Sequence, residues 1–352
     1  MLRATFAVLF SLNRYFGGGG DALVYHVLGL FSADAIFGVP GPPLADIIFE
    51  WWDDSDSLSA KYSGVVAEIQ GGIGQFPYSD TLSIILLHGL VYSLIPSPLA
   101  FVLLTSIASS LATAKLVSAL RVEGMAKIFL IANPLSIYFA ATHLKESICE
   151  VLVILLALAA WHEDRKKSAL VFALVLAAFR PSYMPVCLTI LLARSLWRVD
   201  SRLLVVVALA LAMSVPGLRW ELPQAESGFI FSVVHANAVT ENLLGLLVGF
   251  GAPYFVPIGK WVPFTYAMWF GGLMYWAIWP RVWLSFVNGD SRPWTWVPIL
   301  LSALYGFIVV GDIASKTRFY SPILPLMICG WYLCRSERLS LATCGSSEPV
   351  AV

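Results

Sequence analysis

The feature that most limits what this chain can fold into is a succession of apolar runs along most of its 352 residues. Mean hydropathy is +0.79 and 12% of the residues are charged, whereas about a quarter are charged in a soluble domain. A bilayer offers backbone groups no water, so long apolar runs predict membrane helices. After a first segment at 2–16, the runs cover 82–96, 98–119, 126–142, 147–161, 168–179, 183–196, 203–218, 242–258, 262–280, 294–311 and 319–334.

We therefore expect an all-α fold, a polytopic transmembrane helical bundle of about 9–11 membrane helices. Residues 1–338 are predicted to form a single membrane domain with two external loops, a long one at 17–81 that contains surface helices and one at 219–241. Residues 339–352 are predicted to be a disordered cytoplasmic tail. The segment 2–16 has no small-residue cleavage site, which favours a short anchor over a cleaved signal.

Basic residues in short loops predict the orientation, because Lys and Arg beside membrane helices are retained on the cytoplasmic side. The loops at 162–167 and 194–202 carry the most of them. Counting helices outward from these loops brings four polar segments to the opposite face: 143–147, 180–182, 219–241 and 312–318. We expect a site on that face of a multi-pass protein in a bacterial inner membrane.

Composition and motifs exclude several classes of function. The chain has 22 basic and 22 acidic residues, so there is no basic excess for a nucleic-acid partner. Four of the five cysteines lie within apolar runs, a placement that fits neither disulfides nor metal ligation. The sequence has no zinc motif, no nucleotide-binding glycine loop and no Ser–His–Asp order. We therefore assign no metal-binding residues. A divalent cation stays open as a cofactor.

The first candidates for chemistry follow four glycines at the end of the first apolar segment. Asp21 stands there, with Tyr25 and His26 close behind. A carboxylate at the water boundary can act as a general base or bind a metal ion. The alternative is a glycine linker that ends at an Asp helix N-cap, with interfacial aromatic anchors. Asp53 and Asp54, beside two tryptophans, fit either a cation or sugar site or a solvated turn.

Charged residues at tight breaks between apolar runs form the second group of candidates. Lys145 and Glu146 lie at one break, and Arg180 precedes a proline at another. Charges at such depth are costly and normally face a cavity or a partner, where a cation can bind a lipid-linked phosphate. The structural alternatives are a snorkelling Lys145 paired with Glu146 and helix capping at Arg180. Lys316 and Arg318 add two cations to the same predicted face.

Together these motifs resemble the GT-C class of integral-membrane glycosyltransferases, which take a sugar from a polyprenyl-phosphate carrier. Residues 20–26 (GDALVYH) are similar to the acidic motif in the first external loop of that class. The Asn-Pro step at 133–134 and the charged pair at 145–146 are similar to its helix break and the start of its next helix. The Arg-Pro step at 180–181 and residues 318–325 are similar to its later helices, whereas the first helix is unusually short.

The resemblance implies that Asp21 is the catalytic base and that Lys145, Arg180 or Arg318 neutralises the phosphate leaving group. The implied substrate-binding residues also include Tyr25, His26, Asp53, Asp54, Glu146 and Lys316. The implied partners are a polyprenyl-phosphate-linked sugar, a glycan, lipid or protein acceptor, and membrane lipids. Three alternatives stay open: a polysaccharide repeat-unit polymerase, a lipid-linked oligosaccharide flippase or transporter, and a non-catalytic membrane assembly subunit.

Overall fold

The structure is a computed structural model of the chain. It describes residues 1–12, 20–38, 79–95, 97–160, 165–180, 183–193 and 321–333, together with the single positions 277, 280 and 284. These residues are mostly helical, and no strand occurs among them. The all-α class predicted from the sequence is confirmed for this part of the chain.

Ten helices lie within these ranges, and all but α2 coincide broadly with the apolar runs of the sequence. They are α1 (Leu2–Leu12), α2 (Gly20–Phe37), α3 (Ser79–Leu94), α4 (Pro98–Ala119), α5 (Gly124–Ile131), α6 (Pro134–Ala140), α7 (Glu146–Ala160), α8 (Lys166–Phe179), α9 (Met184–Ala193) and α10 (Leu324–Leu333).

The run at 126–142 divides into two helices at Asn133. The Asn133 side chain accepts a hydrogen bond from the Leu135 N–H at 3.1 Å and so caps α6. Pro134 is the first residue of α6, a position where its missing N–H costs nothing. The Asn-Pro step noted in the sequence is therefore a helix break that the local chemistry explains.

One described helix, Leu99–Ala119, is long and apolar enough to cross a bilayer, with a mean hydropathy of 1.7. The other apolar helices singled out by composition are shorter and cover Ser83–Leu94, Gly124–Ala140 and Leu324–Leu333. A spanning helix usually needs about 20 residues. The described part of the chain thus shows one candidate span, and the polytopic bundle stays a prediction.

The prediction of surface helices within the loop at 17–81 is wrong for α2. This helix packs against α3 along its length, and Tyr25, Leu28 and Ala33 belong to the hydrophobic core. The run of four glycines at 17–20, the last of which begins α2, makes the segment appear loop-like in the sequence, but the residues after the run are apolar enough to be buried.

Two glycines allow α2 and α3 to approach closely. A Cβ atom placed on Gly29 would lie 2.3 Å from the Cβ of His88, and one placed on Gly89 would lie 2.6 Å from Ser32 Oγ. Small residues at such crossings let helix backbones meet, as in membrane helix pairs. Gly29 therefore fixes where His88 lies.

α7 is the central helix of the described bundle. It contacts α4, α6, α8 and α9, while α1 packs against α4 and α6. α8 runs back along α7, so that Arg180, which follows α8, lies beside Glu146, the first residue of α7. Because of this arrangement, residues at the start of α7 meet residues at the end of α8.

Candidate functional site

The predicted catalytic residue Asp21 is the second residue of α2. Its backbone therefore lies in the first turn of a helix, where the macrodipole stabilises a negative charge. Tyr25 and His26 follow one turn later, and both side chains are buried, with 5% and 1% of their surface exposed. Burial places these two residues inside the bundle, not at its surface as interfacial anchors.

His26 belongs to a buried group that we call the imidazole cluster, formed with His88, Tyr92 and His143. His26 Nδ1 lies 2.7 Å from Tyr92 Oη, and His143 Nδ1 lies 3.3 Å from His88 Nε2 and 3.4 Å from Tyr92 Oη. The ring of Phe101 stacks on His88, with 3.4 Å between ring centres. Three of the five histidines of the chain thus meet in one place.

The hydrogen bonds assign the tautomers of the cluster. His88 Nδ1 lies 2.9 Å from the carbonyl oxygen of Ile84, which can only accept, so His88 Nδ1 donates and His88 Nε2 accepts. In a neutral cluster, His143 Nδ1 then donates to His88 and Tyr92, and the Tyr92 hydroxyl donates to His26 Nδ1. This assignment gives one directed chain of hydrogen bonds.

Electrostatics agree with a neutral cluster. His143 lies in the turn between α6 and α7, where burial lowers the pKa of its imidazole well below the ordinary value, and His26 and His88 lower that pKa further. Among the described residues, no group of three His, Cys, Asp or Glu side chains has the geometry to hold a metal ion. The observed contacts of the cluster are hydrogen bonds and ring contacts.

Two residues after His143, a second set of polar groups is buried at the start of α7. Arg180 Nη1 lies 3.1 Å from Glu146 Oε1, and both side chains are withdrawn from solvent. The backbone N–H of Arg180 caps α8 by donating to the Leu176 carbonyl oxygen at 2.9 Å, while its guanidinium lies 5.6 Å from the centre of the Tyr183 ring. The capping predicted as the structural alternative is thus present in the backbone, and the side chain makes a separate ion pair.

Lys145 completes this end of the site. It is 4% exposed, so its ammonium is not held out in solvent as in the snorkelling alternative. Lys145, Glu146 and Arg180 form what we call the Glu146 site, and the turn at 141–145 connects it to the imidazole cluster. Ionisable groups buried together between helices make this a candidate functional site.

A second buried ion pair lies one helical turn further along α7. Arg3 Nη1 lies 3.2 Å from Glu150 Oε1 and also bonds to Ser109 Oγ, and Arg3 Nη2 donates to the Leu130 carbonyl oxygen at 3.3 Å. Ser109 donates in turn to Glu150 Oε1 at 3.2 Å. The sequence pattern did not predict this pair, although Glu150 stands four residues after Glu146 in an apolar run and so shares its helix face.

Five of the predicted site residues lie in or beside the two clusters. Tyr25, His26, Lys145, Glu146 and Arg180 are brought to the imidazole cluster and the Glu146 site. Of Asp21 the structure describes the backbone. His88 and Tyr92 were missed, and the signal for them is a histidine inside an apolar run with a tyrosine one turn later. Four predicted residues lie outside the described part of the chain: Asp53, Asp54, Lys316 and Arg318.

Comparison with known protein families, curated proteins and solved structures finds no match. The likeness to the GT-C class therefore rests on the motifs quoted above. Function has to be argued from the chemistry of the site.

Proposed function

We propose that the chain is a multi-pass membrane glycosyltransferase that transfers a sugar from a polyprenyl-phosphate carrier to a hydroxyl of an envelope glycan, lipid or protein. The observation that carries this proposal is the meeting of the distant segments 20–26, 143–146 and 180. His26 lies 5.3 Å from His143 between ring centres, and Glu146 is paired with Arg180. These are three of the segments that resemble the GT-C class.

The distribution of side chains supports a membrane location. Charged residues are buried between the helices, including Arg3, Lys145 and Glu150. The outer faces carry exposed apolar side chains at helical spacing, the reverse of a soluble protein. Examples are Leu86, Leu90 and Leu94 on α3, Leu104, Ile107 and Leu111 on α4, and Met184, Leu188 and Leu192 on α9.

In the proposed reaction, the acceptor oxygen attacks the anomeric carbon of the donor sugar. The bond from that carbon to the phosphate oxygen breaks, the electron pair stays on the phosphate, and the proton of the acceptor hydroxyl passes to Asp21. The first turn of a helix favours an ionised carboxylate, which is the form that accepts a proton. The products are the glycosylated acceptor and the polyprenyl phosphate.

Arg180 and Lys145 are the cations proposed for the leaving phosphate. A guanidinium has five N–H donors in a planar fork suited to phosphate, and Glu146 engages Arg180 through Nη1. Glu146 thereby acts as a positioning residue for the fork. A fixed cation in a site with little water stabilises the charge of the leaving group more than it would in bulk water.

The test is transfer of a labelled sugar by the purified protein in lipid nanodiscs, with a panel of polyprenyl-phosphate sugars as donors. Asp21→Asn is expected to lower turnover by about 100-fold or more, because a positioned general base contributes at least that much, while the melting temperature stays unchanged. Asp34→Asn is the matched control, since Asp34 is an exposed acid on the same helix. Equal turnover of wild type and Asp21→Asn would remove Asp21 from the proposed role.

A lipid-linked oligosaccharide flippase is the second candidate. The observation in its favour is that buried charges continue along α7 from Glu146 to Glu150, as they would beside a transport path. The nanodisc assay separates the two functions. Movement of a lipid-linked glycan across the bilayer without sugar transfer would decide for the flippase.

A further inference from the structure

A groove of about 680 Å³ lies between the start of α1, the second half of α4 and α5. Its lining includes no residue of the imidazole cluster or the Glu146 site. Apolar side chains form much of its wall, among them Leu2, Val117, Val122 and Ile131. A groove of this kind offers an apolar surface that is large enough for part of a lipid acyl chain.

The rim of the groove is cationic. Arg121 and Lys127 line it and are exposed, against the one acid Glu123 among its lining residues. Arg3 contributes to the wall, but its guanidinium is engaged by Glu150. The two exposed cations are therefore the groups that can meet an anion from outside.

The backbone at Arg121 is held in a conformation that favours glycine. Arg121 has φ +48°, and it is the one non-glycine residue with positive φ in the described ranges. The Val122 N–H bonds to the Val117 carbonyl oxygen, and the Arg121 N–H bonds to that of Ser118, which is the Schellman motif at the end of α4. Glycine is the usual residue at this position. An arginine at this position leads to the hypothesis that its side chain is used.

A buried hydroxyl in the groove provides a second, independent observation. Thr113 lines the groove and is 3% exposed, yet its Oγ1 has no hydrogen-bond partner among the described residues. Buried hydroxyls are normally paired, and leaving one unpaired destabilises a fold. Because this oxygen has almost no accessible surface, a polar ligand atom in the groove would supply the missing partner once the Thr113 side chain turns toward the groove.

We propose that this groove binds the phosphorylated head group of an anionic lipid. Arg121 and Lys127 contact the phosphate oxygens, Thr113 hydrogen-bonds to the head group, and the acyl chain lies against Val117 and Ile131. The apolar wall favours a lipid over a free phosphate ion, which would gain nothing from it. The proposal rests on the membrane location given under Proposed function and is independent of sugar transfer.

The experiment is native mass spectrometry of the full-length protein released from detergent, titrated with phosphatidylglycerol, with phosphatidylcholine or with inorganic phosphate. Phosphatidylglycerol is expected to remain bound, and Lys127→Gln to weaken it about fivefold, the effect of one surface cation on an anionic lipid. Lys166→Gln, an exposed cation outside the groove, is the matched control. Equal retention of the two lipids, or displacement of phosphatidylglycerol by inorganic phosphate, would overturn the proposal.

Arg121→Gly distinguishes a lost contact from a damaged fold. Glycine relieves the positive φ, so the melting temperature is expected to rise by about 2 °C while binding of phosphatidylglycerol falls about fivefold. A variant that is more stable and binds the lipid like wild type would show that Arg121 is only a strained cap. Asp21→Asn should leave lipid retention unchanged. The lipid proposal and the sugar-transfer proposal can therefore fail independently of each other.

Discussion

The two ion pairs on α7 share a helix face but differ in what surrounds them. Glu150 meets Arg3 together with neutral partners, the Ser109 hydroxyl and the Leu130 carbonyl oxygen. Glu146 meets Arg180 where a further buried cation, Lys145, and the imidazole cluster lie close by in the chain. Glu150 thus has a second, neutral hydrogen-bond partner beside its arginine, whereas Glu146 lies among further ionisable groups, the kind of setting that marks a candidate functional site.

The two ion pairs also connect different helices. Arg3 ties α1 to α7 across most of the described chain, and Arg180 ties the end of α8 to the start of α7. A buried ion pair adds little net stability, because desolvation offsets the attraction. We interpret the Arg3–Glu150 pair as specifying how α1 docks and the Arg180–Glu146 pair as positioning a cation for chemistry.

The largest expected effects come from removing one carboxylate at a time. Glu146→Gln and Glu150→Gln are matched substitutions one turn apart, and each leaves a buried arginine without its counter-charge. Each is expected to lower the free energy of unfolding by about 3 kcal/mol. Turnover per folded molecule should fall about 100-fold in Glu146→Gln, because the fork of Arg180 is no longer held, and should stay unchanged in Glu150→Gln.

Unfolding curves and sugar-transfer rates on the same nanodisc preparations check this prediction. Loss of turnover in both variants would mean that the two pairs act as one unit. Retained turnover in Glu146→Gln would leave Arg180 with a structural role alone.

The sequence predicts the Glu146 site better than the Arg3–Glu150 pair for a physical reason. Lys145 and Glu146 interrupt the apolar pattern at a visible break, whereas Glu150 lies inside a run and Arg3 looks like a flanking charge at the start of a helix. Their pairing depends on how α1 docks across α4 and α6, which is a tertiary fact. The apolar pattern of the sequence predicts helices and the breaks between them, but it does not predict which distant helices are in contact.

The imidazole cluster shows the same limit. His26 stands out in the sequence for its place after Asp21. His88 becomes its neighbour because α2 and α3 cross at glycines, and His143 reaches the cluster from the turn between α6 and α7. The burial of α2 could not be predicted either, since the glycine run before it is typical of a loop. The helical class and most helix positions follow from composition and pattern, and the contacts between helices do not.

A smaller effect is expected where α2 and α3 cross. Gly29→Ala brings a Cβ within 2.3 Å of the His88 Cβ, so the helices must separate and the cluster must shift. The expected destabilisation is about 1–3 kcal/mol, as for overpacking in a core, and turnover should fall because the displaced α2 also carries Asp21. The Arg3–Glu150 end should be unaffected, so phosphatidylglycerol retention should match wild type.

Gly124→Ala is the control for this substitution. Gly124 has φ +59° and no atom within 4 Å of a Cβ placed on it, so alanine strains the backbone without a collision. It should cost about 1 kcal/mol and leave turnover per folded molecule unchanged. Equal turnover losses in the two glycine variants would show that general destabilisation, not the cluster, limits transfer.

The smallest change in stability, and the clearest separation of the two pairs, is expected when both charges of a pair are replaced by apolar side chains. Arg180→Met with Glu146→Leu should leave stability within about 1 kcal/mol of wild type, because neither member of the ion pair is left buried without the other. Arg3→Met with Glu150→Leu should cost slightly more, about 1 kcal/mol, since Ser109 and the Leu130 carbonyl lose a donor or acceptor. Transfer should be abolished in the first double variant and kept in the second. Because both double variants are expected to fold, the transfer assay compares their chemistry and not their stability. Activity in the first double variant would show that Arg180 does not meet the leaving phosphate.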